Sequence, residues 1–327
     1  MTSKSHKSIS VLFIGHLAID SIIRFKREYG ISIGGSVTFG SLALRKYTKL
    51  TDLAIISNIG KINFDKFLLK KFEKKNINLS GLKWSDSRNT NFVLDYTDHS
   101  RTLTLKSRSP DLKFSDIPEE ILNSDPKIIV LGPLCNEISC EYVKNILEHF
   151  PNAYIGIDLQ GFIRKIDHDG VVSYIPDEDM TSNMKDIINL IGDKLILKGS
   201  EIEMKLLSGK DQFDEVMTYF QTCFSKGIFI MTLGDSGSLV IKCDENMLKI
   251  PAFKPKIVVD ETGAGDVYLA IFMYELINSE MTWEDVKHSA YLASAAASFL
   301  VEKKGPNGFE TMKNVVKRVN QKNYTRN

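Results

Sequence analysis

Seven consecutive residues, Asp260-Glu261-Thr262-Gly263-Ala264-Gly265-Asp266, carry the densest chemistry in the chain, and the apolar run Val267 to Ile277 follows directly. Two glycines and an alanine at a helix start leave the first backbone N–H groups with no bulky side chain in front of them. Unpaired N–H groups and the positive end of the helix dipole then point the same way, which makes an anion site. A carboxylate, Asp266, stands in the first turn beside it. A grip for negative charge next to a proton acceptor suggests phosphoryl transfer to a hydroxyl. The pattern D-x-T-G-A-G-D would arise by chance on the order of 10⁻⁵ times per chain at average residue usage, so a plain capped turn is the weaker reading. The helix end is also expected to lower the pKa of Asp266, leaving it chiefly an orienting acceptor for the hydroxyl proton.

Such a site needs a scaffold, and the composition allows one. The chain has 327 residues, 43% hydrophobic and 25% charged, ample for a full core. A net charge of +1 argues against bulk attraction to nucleic acid or a membrane. No apolar run reaches the length of a membrane span. Met1 to Ser10 is polar and basic, reads as a frayed tail, and shows no hydrophobic signal core. The cysteines, Cys135, Cys140, Cys223 and Cys243, lack metal spacing and read as buried free thiols, which fits a reducing cytoplasm. The histidines are scattered and suggest no zinc site.

Short apolar segments alternate with helical periodicity. Ser10 to Ile14, Leu53 to Ser57, Lys127 to Leu131, Ala153 to Asp158, Leu195 to Leu197 and Ile228 to Leu233 read as buried strands. Thr38 to Tyr47, Phe64 to Lys75, Glu141 to Phe150, Ile202 to Leu207 and Asp214 to Phe224 read as helices. Ser238 to Lys242 and Met247 to Ile250 form a strand pair, and Thr282 caps a late, alanine-rich helix. That order predicts an α/β fold, a largely parallel sheet covered on both faces, with ligands beyond the carboxyl ends of the strands. Gly15, Gly60, Asp158, Lys198 and Gly234 all follow or end strands and are candidates for one rim. Asn91 to Tyr96 and Thr102 to Leu105 break the rhythm as a β-hairpin around Thr97-Asp98-His99-Ser100. It is expected to join parts of 19–33 in a small β lid.

With these landmarks in order, the chain resembles the ribokinase-type carbohydrate kinases, the PfkB family, over essentially its whole length. Gly34-Gly35 is similar to the sugar-site double glycine. Lys198-Gly199-Ser200-Glu201-Ile202-Glu203 resembles the K-P-N-E-x-E segment, and Thr232-Leu233-Gly234-Asp235-Ser236-Gly237 the T-x-G-x-x-G loop. Asp260 to Asp266 resembles the C-terminal signature. The resemblance implies one ribokinase-like domain over 1–327 with a β lid from parts of 19–33 and 91–105, and ATP and Mg²⁺ as cofactors. It implies that Asp266 is the catalytic base and that the amides of Gly263, Ala264 and Gly265 stabilise the migrating phosphoryl. Lys198, Thr232, Gly234, Ser236, Gly237 and Thr262 would contact the nucleotide. Glu203 would organise Mg²⁺, and Asp260 would shape a monovalent cation site for K⁺. Asp20, Gly34, Gly35, Ser36 and Thr38 would meet the acceptor. Monomer and homodimer are both open.

Three departures bear on the acceptor. Phe39 stands where ribose-type sites carry Asn, and a ring cannot replace an amide that bonds a hydroxyl. Ser200 replaces the usual Asn before Glu203. Asp158-Leu159-Gln160-Gly161-Phe162-Ile163-Arg164 is similar to the D-x-Q-G-x-x-R of branches near the inositol kinases, where Asp158 and Gln160 would bind polyol hydroxyls and Arg164 an acidic group or phosphate. The favoured expectation is an ATP-dependent kinase for a small sugar, polyol or cyclitol resembling myo-inositol. A nucleoside kinase, a phosphosugar kinase and a catalytically silent ligand-binding protein are the alternatives.

Overall fold

Short runs of β-branched and large aliphatic residues become strands buried on both faces, as a parallel sheet sandwiched between helices requires. The computed structural model describes residues 10–24, 27–97 and 100–325. The tail up to Ile9 and the residues Asp98 and His99 of the expected hairpin turn lie outside them.

The first elements are β1 (Val11–Ile14), β2 (Ala18–Arg24), β3 (Arg27–Gly34), α1 (Ser36–Tyr47), β4 (Leu53–Gly60), α2 (Lys70–Glu73), β5 (Asn78–Ser85), β6 (Asn91–Thr97) and β7 (Ser100–Ser107). Then come α3 (Glu119–Leu122), β8 (Ile128–Leu131), α4 (Cys140–His149), β9 (Tyr154–Asp158), α5 (Gln160–Ile163), β10 (Lys165–Ile166), β11 (Val172–Ser173) and α6 (Glu178–Ile191). The chain continues through β12 (Leu195–Ser200), α7 (Glu201–Ser208), α8 (Phe213–Cys223), β13 (Ile228–Thr232), β14 (Ser238–Lys242), β15 (Leu248–Ile250), α9 (Ala264–Ile277), α10 (Trp283–Leu300) and α11 (Met312–Gln321).

Nine strands form the main sheet in the order β15-β14-β13-β12-β9-β8-β1-β4-β5. The seven from β13 to β5 run parallel, and β14 and β15 add an antiparallel edge. Side chains alternate across the sheet with period two. Val11 and Phe13 enter one core with α1, α9 and α10, while Leu12 and Ile14 enter the other with α4, α6 and α8. Helix α9 is apolar nearly all round, and its buried residues Val267 to Met273 let it lie inside a core rather than on a surface.

A second sheet, β3-β2-β6-β7, stands apart and contains the expected hairpin and parts of 19–33. Its side chains Phe92 and Leu94 pack with Leu134 and Cys135. The helix expected over Phe64 to Lys75 is shorter, one 3-10 turn at Lys66–Leu69 running into α2. The cap at Thr282 is a full capping box with Asp285. No helix is long and apolar enough to cross a membrane among the described residues. Of the cysteines only Cys135 is buried, and Cys223 is exposed, which corrects the reading of all four as buried thiols.

Register places the chemistry. Lys198 of β12 pairs with Asp158 at the end of β9, and Ser200 pairs with Thr232 at the end of β13. Four candidate residues separated widely in sequence therefore meet at one sheet edge. Gly60 does not join them. Its backbone is pressed against Arg88 and Asn89, where an added Cβ would sit 2.2 Å from the Arg88 carbonyl carbon.

Candidate active site

The turn before α9 is shaped by its own side chains. Asp260 accepts hydrogen bonds from the N–H of Thr262 at 3.0 Å and of Gly305 at 2.9 Å. Gly263 takes φ +84 at the helix N-cap, a left-handed conformation that favours glycine. The ring of Phe39 closes over it, so that a Cβ on Gly263 would lie 2.1 Å from the ring. Phe39 thus fills the space beside the turn rather than offering a polar contact. The Ala264 N–H is spent on the Glu261 carbonyl at 3.2 Å. This corrects the expectation that all three amides face a phosphoryl group. The Gly263 and Gly265 N–H groups have no acceptor among the described residues.

Gly265 has a second reason to be glycine. A Cβ there would meet the Lys198 ammonium at 2.6 Å. Its absence brings Lys198 Nζ against the helix start, where amide dipoles and a full positive charge act together on an anion. Lys198 bonds Asp158 at 2.7 Å, with both side chains buried. Burial opposes the lysine charge, but Asp158, Glu203 and Asp266 outweigh it and raise its pKa.

Two cavities meet at this turn. The smaller, about 250 Å³, is walled by Asp20, Ser36, Asp158, Gln160, Arg164 and Asp266, and its other side by Phe39 and the second-sheet residues Phe92, Leu94 and Leu103. The larger, about 610 Å³, is bounded by the loop Gly234–Gly237, by Ile257 and Val258, and by Ser294, Ala297 and Ser298 of α10. Ser200, Thr232, Glu261, Ala264 and Gly265 belong to both walls. The alanines of α10 divide by face. Ala297 lines the larger cavity, while Ala290, Ala293 and Ala295 are core residues.

Asp266 lines only the smaller cavity. Its pKa is pushed up to about 8, by burial first and by the neighbouring Asp158 carboxylate second, against the pull of Lys198 and Ser36. The helix end was expected to lower it. Desolvation and a like charge at hydrogen-bonding range set the direction instead.

Other expected residues divide. Asp20 lies over the paired glycines, where a Cβ on Gly34 would fall 1.8 Å from its carboxylate. Gly35, at φ +93, approaches the His16 carbonyl and lines the smaller cavity. Gly34 lines neither cavity and serves by making room for Asp20. Thr38 is buried and gives its hydroxyl to the Gly34 carbonyl at 2.6 Å, so it closes the start of α1 instead of meeting an acceptor. Thr262 and Lys198 line the smaller cavity and not the larger. Ser236 lines neither and points its hydroxyl at Asp235. Asp260 also lines neither cavity, and both its oxygens are held by backbone N–H groups, so its direct role is to staple the 260–262 turn to Gly305.

Glu203 is buried and lines the smaller cavity, three residues from Ser200, which borders both. One carboxylate oxygen accepts the Ser200 N–H at 2.7 Å within a capping box, and the other accepts the Tyr174 hydroxyl at 3.2 Å. Ser200 and Thr232 line the same cavity as Glu203, and all three offer only oxygen atoms, the chemistry that suits a hydrated Mg²⁺. Arg164 gives Nη2 to Gln160 at 2.7 Å, Nη1 to the Leu134 carbonyl at 3.2 Å and Nε to Tyr174 at 3.0 Å.

No spacing in the sequence points to a buried knot at His16, Cys135 and Glu137, whose ligand-type atoms lie within 4.8 Å of one another. Its contacts are already complete. Glu137 accepts the N–H groups of His16, Leu134 and Cys135, and the His16 ring meets Thr90 at 2.8 Å and the Pro110 carbonyl at 3.0 Å. Burial lowers the His16 pKa and keeps the ring neutral. The knot fixes the loop that carries Leu134 into the cavity wall.

Known proteins share this fold. A model of the pfkB family carbohydrate kinases matches residues 49–312. A nucleoside kinase of Methanothermobacter thermautotrophicus is 40% identical over 79 residues, 24% of this chain and 23% of that relative's length. The chain thus spans about a quarter of that protein. A pyrophosphate-dependent kinase of the ribokinase family, solved with a pyrophosphate analogue and myo-inositol, superposes with TM-score 0.70 at 19% identity, covering 90% of this chain and 96% of that one. Arabidopsis thaliana ribokinase, solved with ribose and ATP, superposes with TM-score 0.74 at 16% identity over 95% and 99% of the two chains. The fold is therefore ribokinase-like, and with the family model matching most of its length, the chain belongs to the pfkB family of carbohydrate kinases.

Proposed function

We propose that the protein is an ATP-dependent phosphotransferase for a hydroxyl of a small sugar, polyol or cyclitol, with a myo-inositol-like acceptor favoured. One observation carries the reading: two cavities of unequal size meet at Gly265, and Asp266 faces only the smaller. The acceptor binds in the smaller, where Asp20, Asp158, Gln160 and Ser36 offer hydroxyl partners. A nucleotide binds in the larger. Its apolar walls would have no task with pyrophosphate, which has neither base nor ribose.

In the transfer, the acceptor oxygen bonds to the γ-phosphorus as the bond to the β-phosphate oxygen breaks. The hydroxyl proton passes to Asp266 Oδ, and ADP leaves. The Gly263 and Gly265 amides and the Lys198 ammonium stand where charge builds on the phosphoryl oxygens. Glu203, Ser200 and Thr232 would hold Mg²⁺ and its waters. That ion neutralises phosphate charge when bound. A cytoplasmic setting suits an enzyme with free thiols and intracellular ATP.

Phe92, Leu94 and Leu103 favour one second reading, because they give the acceptor cavity an apolar wall on which a nucleobase could rest. The nucleoside kinase relative supports the same reading. ADP release measured against myo-inositol, hexoses, ribose and nucleosides, with pyrophosphate tried as donor in parallel, separates these. Turnover with a cyclitol or sugar supports the first reading, and turnover with nucleosides alone supports the second. Binding without turnover in every arm would leave a ligand-binding protein and overturn both.

A further inference from the structure

Between the acceptor-side arginine and the metal-side glutamate stands one hydroxyl. Tyr174 follows β11 directly and is partly buried. Its oxygen accepts from Arg164 Nε at 3.0 Å and donates to Glu203 Oε1 at 3.2 Å. A phenol can do both at once, and no neighbouring group duplicates it. The result is a continuous chain: Gln160, Arg164, Tyr174, Glu203, Ser200. Its first member lines the acceptor cavity, and its last belongs to both cavities.

The same segment is tied to the second sheet. β10 and β11 form a small antiparallel hairpin. Its turn residue Gly170 accepts the Leu105 N–H of β7 at 2.7 Å, and Val171 bridges Thr104. Gly170 sits at φ +82, and a Cβ there would lie 2.1 Å from the Leu105 carbonyl oxygen, so the contact is built on glycine. Leu103 of the same strand β7 lines the acceptor cavity. The hairpin therefore joins the strand that covers the acceptor to the tyrosine that touches Glu203.

We propose that Tyr174 is a positioning residue that fixes the plane of the Glu203 carboxylate for Mg²⁺·nucleotide and couples it to Arg164. Glu203 Oε2 is already held by the start of α7. Without the phenol, Oε1 is free to rotate about that anchor, and the Arg164 Nε–H loses its acceptor. The inference rests on the reading of Glu203 as the metal-side carboxylate.

The test titrates ADP into the full chain by calorimetry, once with Mg²⁺ and once with a chelator, using wild type, Tyr174→Phe, Glu203→Gln and the double variant. Tyr174→Phe should bind metal-free ADP within about twofold of wild type and lose at least about fivefold of the gain that Mg²⁺ confers. In the Glu203→Gln background the tyrosine change should add no further loss. An unchanged Mg²⁺ gain in Tyr174→Phe overturns the proposal. So does an equal fall with and without metal, which a merely structural role would produce. If Glu203→Gln keeps the full Mg²⁺ gain, the reading of Glu203 has failed and the proposal falls with it. Thermal unfolding checks that each variant is folded. Tyr174→Leu, which also lacks the hydroxyl, replaces Tyr174→Phe if the latter does not fold.

Discussion

A carboxylate that takes a proton from an alcohol is a better base when its own charge is uncomfortable. Asp266 meets that condition by burial and by its neighbour Asp158, which together hold its pKa near 8 in the ligand-free protein. Three predictions belong to this residue. First, kcat/KM should rise as pH rises through about 8, because the free enzyme must lose the Asp266 proton before it can accept another; a profile flat from pH 6 to 9 would contradict it. Second, Asp266→Asn should lose at least about a thousandfold in turnover, roughly 4 kcal/mol of barrier, with ADP affinity little changed. Near-normal turnover in that variant removes Asp266 from its role. The stability effect has the opposite sign. A folded-state pKa above the unfolded value means that the native protein holds the proton more tightly, so this group's contribution to stability is present in acid and lost as pH rises toward 8. The asparagine variant lacks that loss. In the ligand-free state its unfolding midpoint should exceed that of wild type by an amount that grows between about pH 4 and pH 8. Thermal melts at several pH values check it.

The elements differ in how far they were legible. The strands β1, β8, β9 and β13 were legible because a strand buried on both faces is a continuous apolar run, which no surface segment imitates. Helices α6 and α11 passed unread, although Met184, Ile187, Ile188 and Ile191 of α6 do share a buried face. Hairpin β10–β11 has two-residue strands, too short for any period to register. The site followed the same rule. Local motifs such as Gly263 to Asp266 were visible, whereas Tyr174 and Glu137 act through partners distant in sequence, the latter reaching His16 across 121 positions. The charge on Asp266 was misjudged because a helix dipole is local and Asp158 is not. The second sheet gives an element-scale prediction. Phe92, Leu94 and Leu103 wall the acceptor cavity, so an occupied cavity should hold the sheet down. Amide exchange in Asn91–Thr97 and Ser100–Ser107 should slow when acceptor binds. Unchanged exchange there would remove this sheet from the role of a lid.

At the scale of the whole molecule, the larger cavity, the proposed donor site, is finished by α11. Arg318 of α11 is buried beneath α10, with its guanidinium 3.2 Å from the centre of the Phe299 ring. It bonds Ser298 at 2.8 Å and Glu302 at 2.7 Å. Ser298 lines the donor cavity, and Glu302 also accepts the Lys256 N–H at 2.9 Å. The next two residues after Lys256, Ile257 and Val258, are largely exposed apolar side chains on the cavity rim, a natural clamp for a flat base. The ion pair between Arg318 of α11 and Glu302, just past α10, thus anchors the loop that borders the larger cavity. Replacing Arg318 with leucine preserves bulk but leaves Glu302 without its charged partner, a change that typically costs about 3–5 kcal/mol at a buried pair. Part of that cost should appear at the cavity, because the loop and Ser298 lose their common support. Arg318→Leu is therefore expected to lower the unfolding midpoint and to weaken ADP binding by about tenfold, about 1.4 kcal/mol, while leaving acceptor binding on the far side of the turn nearly unchanged. Paired calorimetric titrations decide between the two scales of effect. A loss shared equally by both ligands would mean that Arg318 supports only the fold, whereas a loss confined to ADP would make α11 part of the donor site.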